Sequence, residues 1–445
     1  MIDKIRLTIY FLIVPLLISV SLPSMRVLAE ESADTEISEQ SQEEAEETVQ
    51  TSEEEKDKEH EEETSQKPKV EGKFQVRQIS QTVNYDSQVN PDNETLDIKE
   101  SKRTISVYAQ ISDYLDEKKS IRWMFKTYGY SLYEENNNEN EDEDLIRIDE
   151  LFVDWAFGNW FVSVGKRRNT WGTTSAFNPI NVVVPPKNPL IPDPQTEGHP
   201  IFLINYANDR VSFDLIYTMD YDRDWFGKHY RWGGRFNVLF DDIDIGFYYF
   251  DGDPYDKGEV DYILSTEKYS QLAGFSYSSN FTDDATLYVE IASFSQNGRF
   301  YYTESGAVES REESVIRAAL GSVITLDNDA SILLEVYHNG SGYTKEERKN
   351  YYAKLTNIRD SLFYTSEQKE GLIALQLFNN QIWAMNQNYL LFTYSKSFWE
   401  KYSAGLSIIA AEDSSTISTL SGSYNITDYF MFEASLRGYS GEEDS

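Results

Sequence analysis

The residues best placed to do chemistry lie in one stretch, Trp160 to Pro200, where Lys166, Arg167 and Arg168 run together and Trp171-Gly172 and Asn178-Pro179 follow. Three adjacent cations at the end of a strand suit a constriction that attracts anionic solutes, as rings of basic side chains do in selective pores. They equally suit a strand cap that pairs with acidic neighbours, an exposed arrangement of small energetic weight. Trp171 has two roles open to it, stacking on a sugar ring or anchoring a loop by packing, and Gly172 beside it points to a tight backbone feature. Asn178 completes the candidate set for a constriction or solute-binding site.

Other chemistry is sparse. Cysteine is absent, which removes disulfides, thiolate metal sites and Cys nucleophiles together. The only imidazoles are His60, His199, His229 and His338. No G-x-S-x-G elbow, P-loop or H-E-x-x-H is present, so no catalytic residue, metal site or cofactor is expected, and a hydrolase at the rim is the remaining enzymatic alternative. A net charge of -36 argues against nucleic acid, whose phosphates need a basic footprint.

The elements that must position these residues follow from a period of two. Ile105, Val107, Ala109 and Ile111 alternate with Ser106, Tyr108, Gln110 and Ser112; Ile121, Trp123 and Phe125 oppose Arg122, Met124 and Lys126. The pattern recurs at Val211–Thr218, Ile243–Tyr249, Thr286–Ile291 and Phe430–Arg437. One face is apolar and the other carries charges in mid-strand, which suits a wet interior. The inferred interior charges are Arg122, Lys126, Asp214, Arg235, Asp244, Glu290, Arg317, Glu335, Glu433 and Arg437. Both signs occur, so no selectivity follows from the list alone, and a break in phase near Glu150 marks a bulge.

Connections alternate in length. Short ones fall at 116–119, 158–159, 208–210, 241–242, 280–284, 326–329, 398–401 and 425–428. Long ones fall at 134–144, 170–200, 221–230, 251–268, 297–313 and 339–386. Short turns at one end and long loops at the other are the mark of outer-membrane barrels. Tyr alone numbers 31, as paired aromatic girdles require. The reading is all-β: a transmembrane antiparallel up-and-down barrel of about 16–18 strands, with a long inward or capping loop and a short helical insertion. Thr344 to Thr365, with Tyr352, Leu355, Ile358 and Leu362 at helical spacing, is that insertion, and 370–387 is a candidate second helix.

Residues 1–29 read as a cleaved secretory signal, with Lys4 and Arg6 before an apolar core and Val27-Leu28-Ala29 at the cut. Residues 30–69 are acidic and too polar to bury surface, hence a disordered linker. The barrel would occupy 70–445. About 17 strands are expected, and the odd number means either a missing terminal strand after Ser445 or a miscounted one within 371–397.

At Val164-Gly165-Lys166-Arg167, Trp171-Gly172 and Phe177-Asn178-Pro179 the sequence resembles porin-like outer-membrane families of Gram-negative bacteria, which carry G-[RK]-[QR], then W-G, then an Asn-Pro-rich loop. Asn388–Phe392, Glu412–Ser415, Tyr424–Asp428 and Gly441–Ser445 continue the resemblance, which extends distantly to polysaccharide-export porins. It implies an outer-membrane location, transport, contact with membrane lipid and lipopolysaccharide, and delivery by the barrel-assembly machinery. The combined expectation is a channel for passive passage of small hydrophilic solutes, with a non-conducting barrel that serves as a surface-binding scaffold as the alternative.

Overall fold

The computed structural model describes residues 68–80, 101–135, 140–183, 198–221, 228–251, 271–365, 368–369, 372, 386–399, 401–427 and 430–441. The expected signal and most of the acidic linker lie outside these residues, as does most of the second helix expected at 370–387.

Seventeen strands form one antiparallel, up-and-down sheet. They are β1 (Lys69–Ser80), β2 (Ser101–Tyr114), β3 (Ile121–Glu135), β4 (Asn140–Phe157), β5 (Trp160–Arg167), β6 (His199–Ala207), β7 (Val211–Tyr221), β8 (Lys228–Phe240), β9 (Ile243–Asp251) and β10 (Gln271–Thr282). The series continues with β11 (Ala285–Tyr302), β12 (Val308–Leu326), β13 (Ala330–Asn339), β14 (Asn388–Phe398), β15 (Tyr402–Ala411), β16 (Thr416–Thr427) and β17 (Phe430–Ser440). Each strand from β2 to β16 pairs with the next, and β1 pairs with β2.

The expected short turns fall at the connections between consecutive strands, those at 280–284 and 425–428 beginning inside β10 and β16. Their backbone bends through left-handed residues at Lys119, Gly158, Asp241, Asp329 and Trp399. In the first turn Asp116 accepts hydrogen bonds from the N–H groups of Ser120 and Ile121. Two expected long loops are corrected. The segments 134–144 and 297–313 are mostly strand, because β3 and β4 keep pairing to Glu135↔Asn140 and β11 and β12 to Tyr302↔Val308. Their polar composition hid strands that continue past the apolar belt.

The two faces of the sheet are inverted relative to a soluble protein. Leu320, Leu334, Val336, Leu420 and Leu436 are exposed, whereas Asp214, Glu290 and Glu335 are 2%, 0% and 0% exposed. On β8 the exposed aromatics Trp232 and Phe240 bound the apolar belt. They lie about 26 Å apart along the strand at ~3.3 Å per residue, or about 20 Å after the tilt of a barrel wall. That height approaches the ~25 Å apolar band of outer-membrane strands.

The expected phase break is a bulge on β4. Lys126 pairs with Glu150 and Thr127 with Ile148, leaving Asp149 without a partner across the ladder. The bulge sends both Asp149 and Glu150 to the polar face while Ile148 and Leu151 remain on the apolar one.

The expected insertion is helix α1 (Lys345–Asp360). Thr344 caps it: its hydroxyl accepts from the Glu347 N–H and its own N–H donates to Glu347. Tyr351, Leu355 and Ile358 form the buried face and pack with Tyr301, Tyr302 and Tyr343, all at strand ends or in the connecting loop. Leu362, expected on that face, lies beyond the helix and is 97% exposed. Arg348 bonds Glu412 in the β15–β16 turn at 2.5 Å, so α1 caps the rim and does not run along the polar face.

Candidate functional site

After Arg167 the chain leaves β5 and crosses the polar face as a strap, residues 169–183. Three features fix its conformation. Trp171 is fully buried against Tyr248 and Phe250 of β9, and Gly233 on β8 leaves the space its ring fills, since a Cβ there would lie 3.0 Å from the indole. Asn178 donates to the Trp171 carbonyl at 2.7 Å and accepts from the Asn181 N–H at 2.9 Å, closing the strap on itself. Gly172, at φ 101°, has no room for a side chain, because a Cβ would come within 2.5 Å of both Asn178 and Glu290.

Two buried carboxylates then hold the strap to the wall. Glu290 of β11 accepts from the N–H groups of Thr173 and Thr174. Glu335 of β13 accepts from those of Ala176 and Phe177, and from the Tyr288 hydroxyl at 2.6 Å. Phe177 stacks on Tyr337 at 4.5 Å and leans on Tyr389 of β14. A second cluster gathers Trp171, Ile180 and Val183 with side chains from β6 to β12. Backbone donors on carboxyl oxygens hold the strap, and each bond left unmade would leave a buried polar atom unsatisfied.

Each residue expected at the site therefore has a definite place. Trp171 anchors the loop. Asn178 is an internal strut. Glu290 and Glu335 lie on the face the strap crosses and are engaged by its backbone. Arg235 is bonded to Asp214 at 2.5 Å. Arg317 lies 4.5 Å over the Phe294 ring and donates to Ser341, tying down the base of the loop before α1. Of the basic run, Lys166 takes the register position opposite Leu151, an apolar-face residue. Arg167 bonds Asp154 at 2.7 Å and covers Phe152, and Arg168 bonds Asp149 at 3.1 Å.

Arg122 shares Asp154, Lys126 faces Glu150 at 3.7 Å, and Arg147 shares Asp149. These pairs form a ladder of two neighbouring groups over β3, β4 and β5, one on Asp154 and one on Asp149 and Glu150. Its members Arg147, Asp149 and Asp154 are absent from the residues singled out in the sequence, where Glu150 marks only the phase break. Alternation with Ile146 and Ile148 was the signal that could have found Arg147 and Asp149.

Beyond the strap the polar face changes character. On β14 to β17 the inward positions are small hydroxyls: Thr393 bonds Ser407, Ser403 meets Ser423 at 2.7 Å, and Arg437 donates to Thr419. Ser395, Ser397 and Ser403 are exposed, so the strap leaves this part of the face uncovered. Glu433 there is also exposed.

No protein-family model matches the sequence, and no curated protein matches it. Among solved structures, a triple mutant of the Rhodopseudomonas blastica porin is 9% identical, with a TM-score of 0.40 over 82% of this chain and 100% of that one. Pseudomonas aeruginosa OccK8 (OprE) is 9% identical, with a TM-score of 0.44 over 83% of this chain and 93% of that one. Likeness of that degree carries no weight; the fold rests on the strand pairings.

Proposed function

We propose that the chain is an outer-membrane channel through which small hydrophilic solutes pass by diffusion, with the strap narrowing the lumen. The observation that carries this reading is the inverted sheet: charges on the face the strap crosses, and an exposed apolar belt about 20 Å tall on the other. A sheet in lipid has no water to satisfy its edges, so it must close, and closing this one encloses the polar face. The strap fills part of that space and is pinned toward β11 and β13, while the hydroxyl-lined wall of β14–β17 stays open. The helix stands at the rim, which favours a pore over a plugged scaffold.

Export by the N-terminal signal, insertion by the barrel-assembly machinery and contact with lipopolysaccharide belong to the same proposal, as does the absence of an enzymatic role. Liposome swelling tests it. Vesicles carrying the refolded chain should swell in small sugars, with rates that fall as sugar size rises. Swelling no faster than that of empty vesicles for every sugar would refute the channel and leave the scaffold reading.

A further inference from the structure

We infer that the passage selects small anions, an inference that rests on the channel reading and names its solute class. The ladder over β3–β5 is unbalanced. Five cations (Arg122, Lys126, Arg147, Arg167 and Arg168) meet three carboxylates (Asp149, Glu150 and Asp154).

The imbalance is larger at the surface a solute meets. The side chains of Asp149 and Asp154 are 1% and 4% exposed and that of Glu150 is 13%, whereas Arg122, Arg168 and Arg167 are 37%, 33% and 24% exposed. The acids lie in the wall and the guanidinium groups stand over them. An exposed guanidinium bonded through one or two N–H groups keeps further donors, arranged to take a carboxylate or phosphate oxygen pair.

The strap does not cancel this field. From Asn169 to Val183 it carries no charged residue, and its exposed members are Thr170 and Ser175. The wall of β14–β17, which the strap leaves open, offers hydroxyls and Arg437 with Glu433. The chain as a whole is at -36, so the excess of cations over acids in the β3–β5 ladder is a local feature opposite in sign to the molecule. A low-dielectric wall focuses the local charge, and the wide-field charge is screened within about 10 Å at 0.1 M salt.

The test is the reversal potential of the refolded full chain in a planar bilayer under a potassium chloride gradient. Wild-type chain should reverse on the chloride side of zero, and the shift should shrink at 1 M salt, where screening reaches ~3 Å. Arg122→Gln with Arg168→Gln should move the potential toward that of potassium while the channel still opens. Should the double variant not fold, the wild-type potential and its salt dependence decide by themselves. A conducting channel that reverses on the potassium side overturns anion selection and leaves the channel standing. A chain that conducts nothing overturns both.

Discussion

The backbone N–H of Phe177 donates to a carboxylate oxygen of Glu335 at 2.7 Å, although the two residues belong to segments far apart in the chain. Glu335 is fully buried, and the Phe177 ring lies flat on Tyr337 two positions further along the same strand. A charge in the wall and a ring beside it thus seize the strap at a single point. Glu290 repeats the charged half of the arrangement at Thr173 and Thr174.

Replacing these acids by amides should loosen the strap without unfolding the sheet. Glu290→Gln and Glu335→Gln each exchange charge-assisted bonds for neutral ones, a loss of about 1–3 kcal/mol of local stability. Hydrogen exchange checks it: the amides of Thr173, Thr174 and Phe177 should exchange faster in the variants, and those in the middle of β11 and β13 should be unchanged. Equal protection in variant and wild type would mean that the aromatic contacts alone hold the strap.

Gly172→Ala is the smallest change that should damage the site. The methyl group would meet Asn178 and Glu290 at 2.5 Å, and the backbone at φ 101° disfavours any side chain. The cost should be about 1–3 kcal/mol, visible as a lower urea midpoint in detergent micelles. Gly438→Ala serves as the comparison, because nothing lies within 4 Å of the added carbon, and it should be nearly neutral.

Adjacent residues on one strand should respond oppositely to charge. Leu420 of β16 is 57% exposed on the apolar face, and Ser421 beside it faces the polar side. Leu420→Arg should destabilise folding into bilayers by about 2–4 kcal/mol, the cost of a cation near the membrane midplane. Ser421→Arg should cost little. Similar losses in the two variants would contradict the assignment of faces.

Acid should release the cap before it disturbs the sheet. Burial raises the Glu412 carboxyl, but bonds from Arg348, Asn388 and the Gln387 N–H outweigh it and leave its pKa below the usual value. Asp413 is lowered in the same way, with Ser415 and Asn386 opposing burial. A group whose folded pKa is depressed contributes stability above its unfolded value and loses it as pH falls through the folded one. Docking of α1 should therefore weaken below about pH 4, given the ~4.3 of a free Glu. Limited proteolysis with an acid-active protease, followed across that range, should show cleavage within α1 rising while the strands stay protected.

Strand positions and faces were legible because period-two alternation survives wherever one face meets lipid and the other does not. All eight short turns follow from that pattern and from their Asp, Asn and Gly residues. It failed where Glu134↔Glu141 and Arg299↔Arg311 continue the ladder through sequence that is polar at successive positions. There backbone pairing alone defines the strand, and composition reads as loop.

The candidate site was half legible. Trp171-Gly172 and Asn178 marked the strap, and the anchoring role of the tryptophan was one of its two readings. That Glu290 and Glu335 bind the strap's backbone depends on which strands it crosses, which local sequence does not encode. The same holds for the exposure of the β3–β5 cations over their buried acids, because the list of charges shows both signs and not which stands in front.

Single-channel recording on the refolded chain, in wild type and with Glu290→Gln and Glu335→Gln together, tests the channel most directly. Wild type should show discrete, ohmic conductance steps, and the double variant should show larger and noisier ones as the strap leaves its seat. An intact barrel with no conductance in wild type, and still none after deletion of residues 169–183, would contradict it.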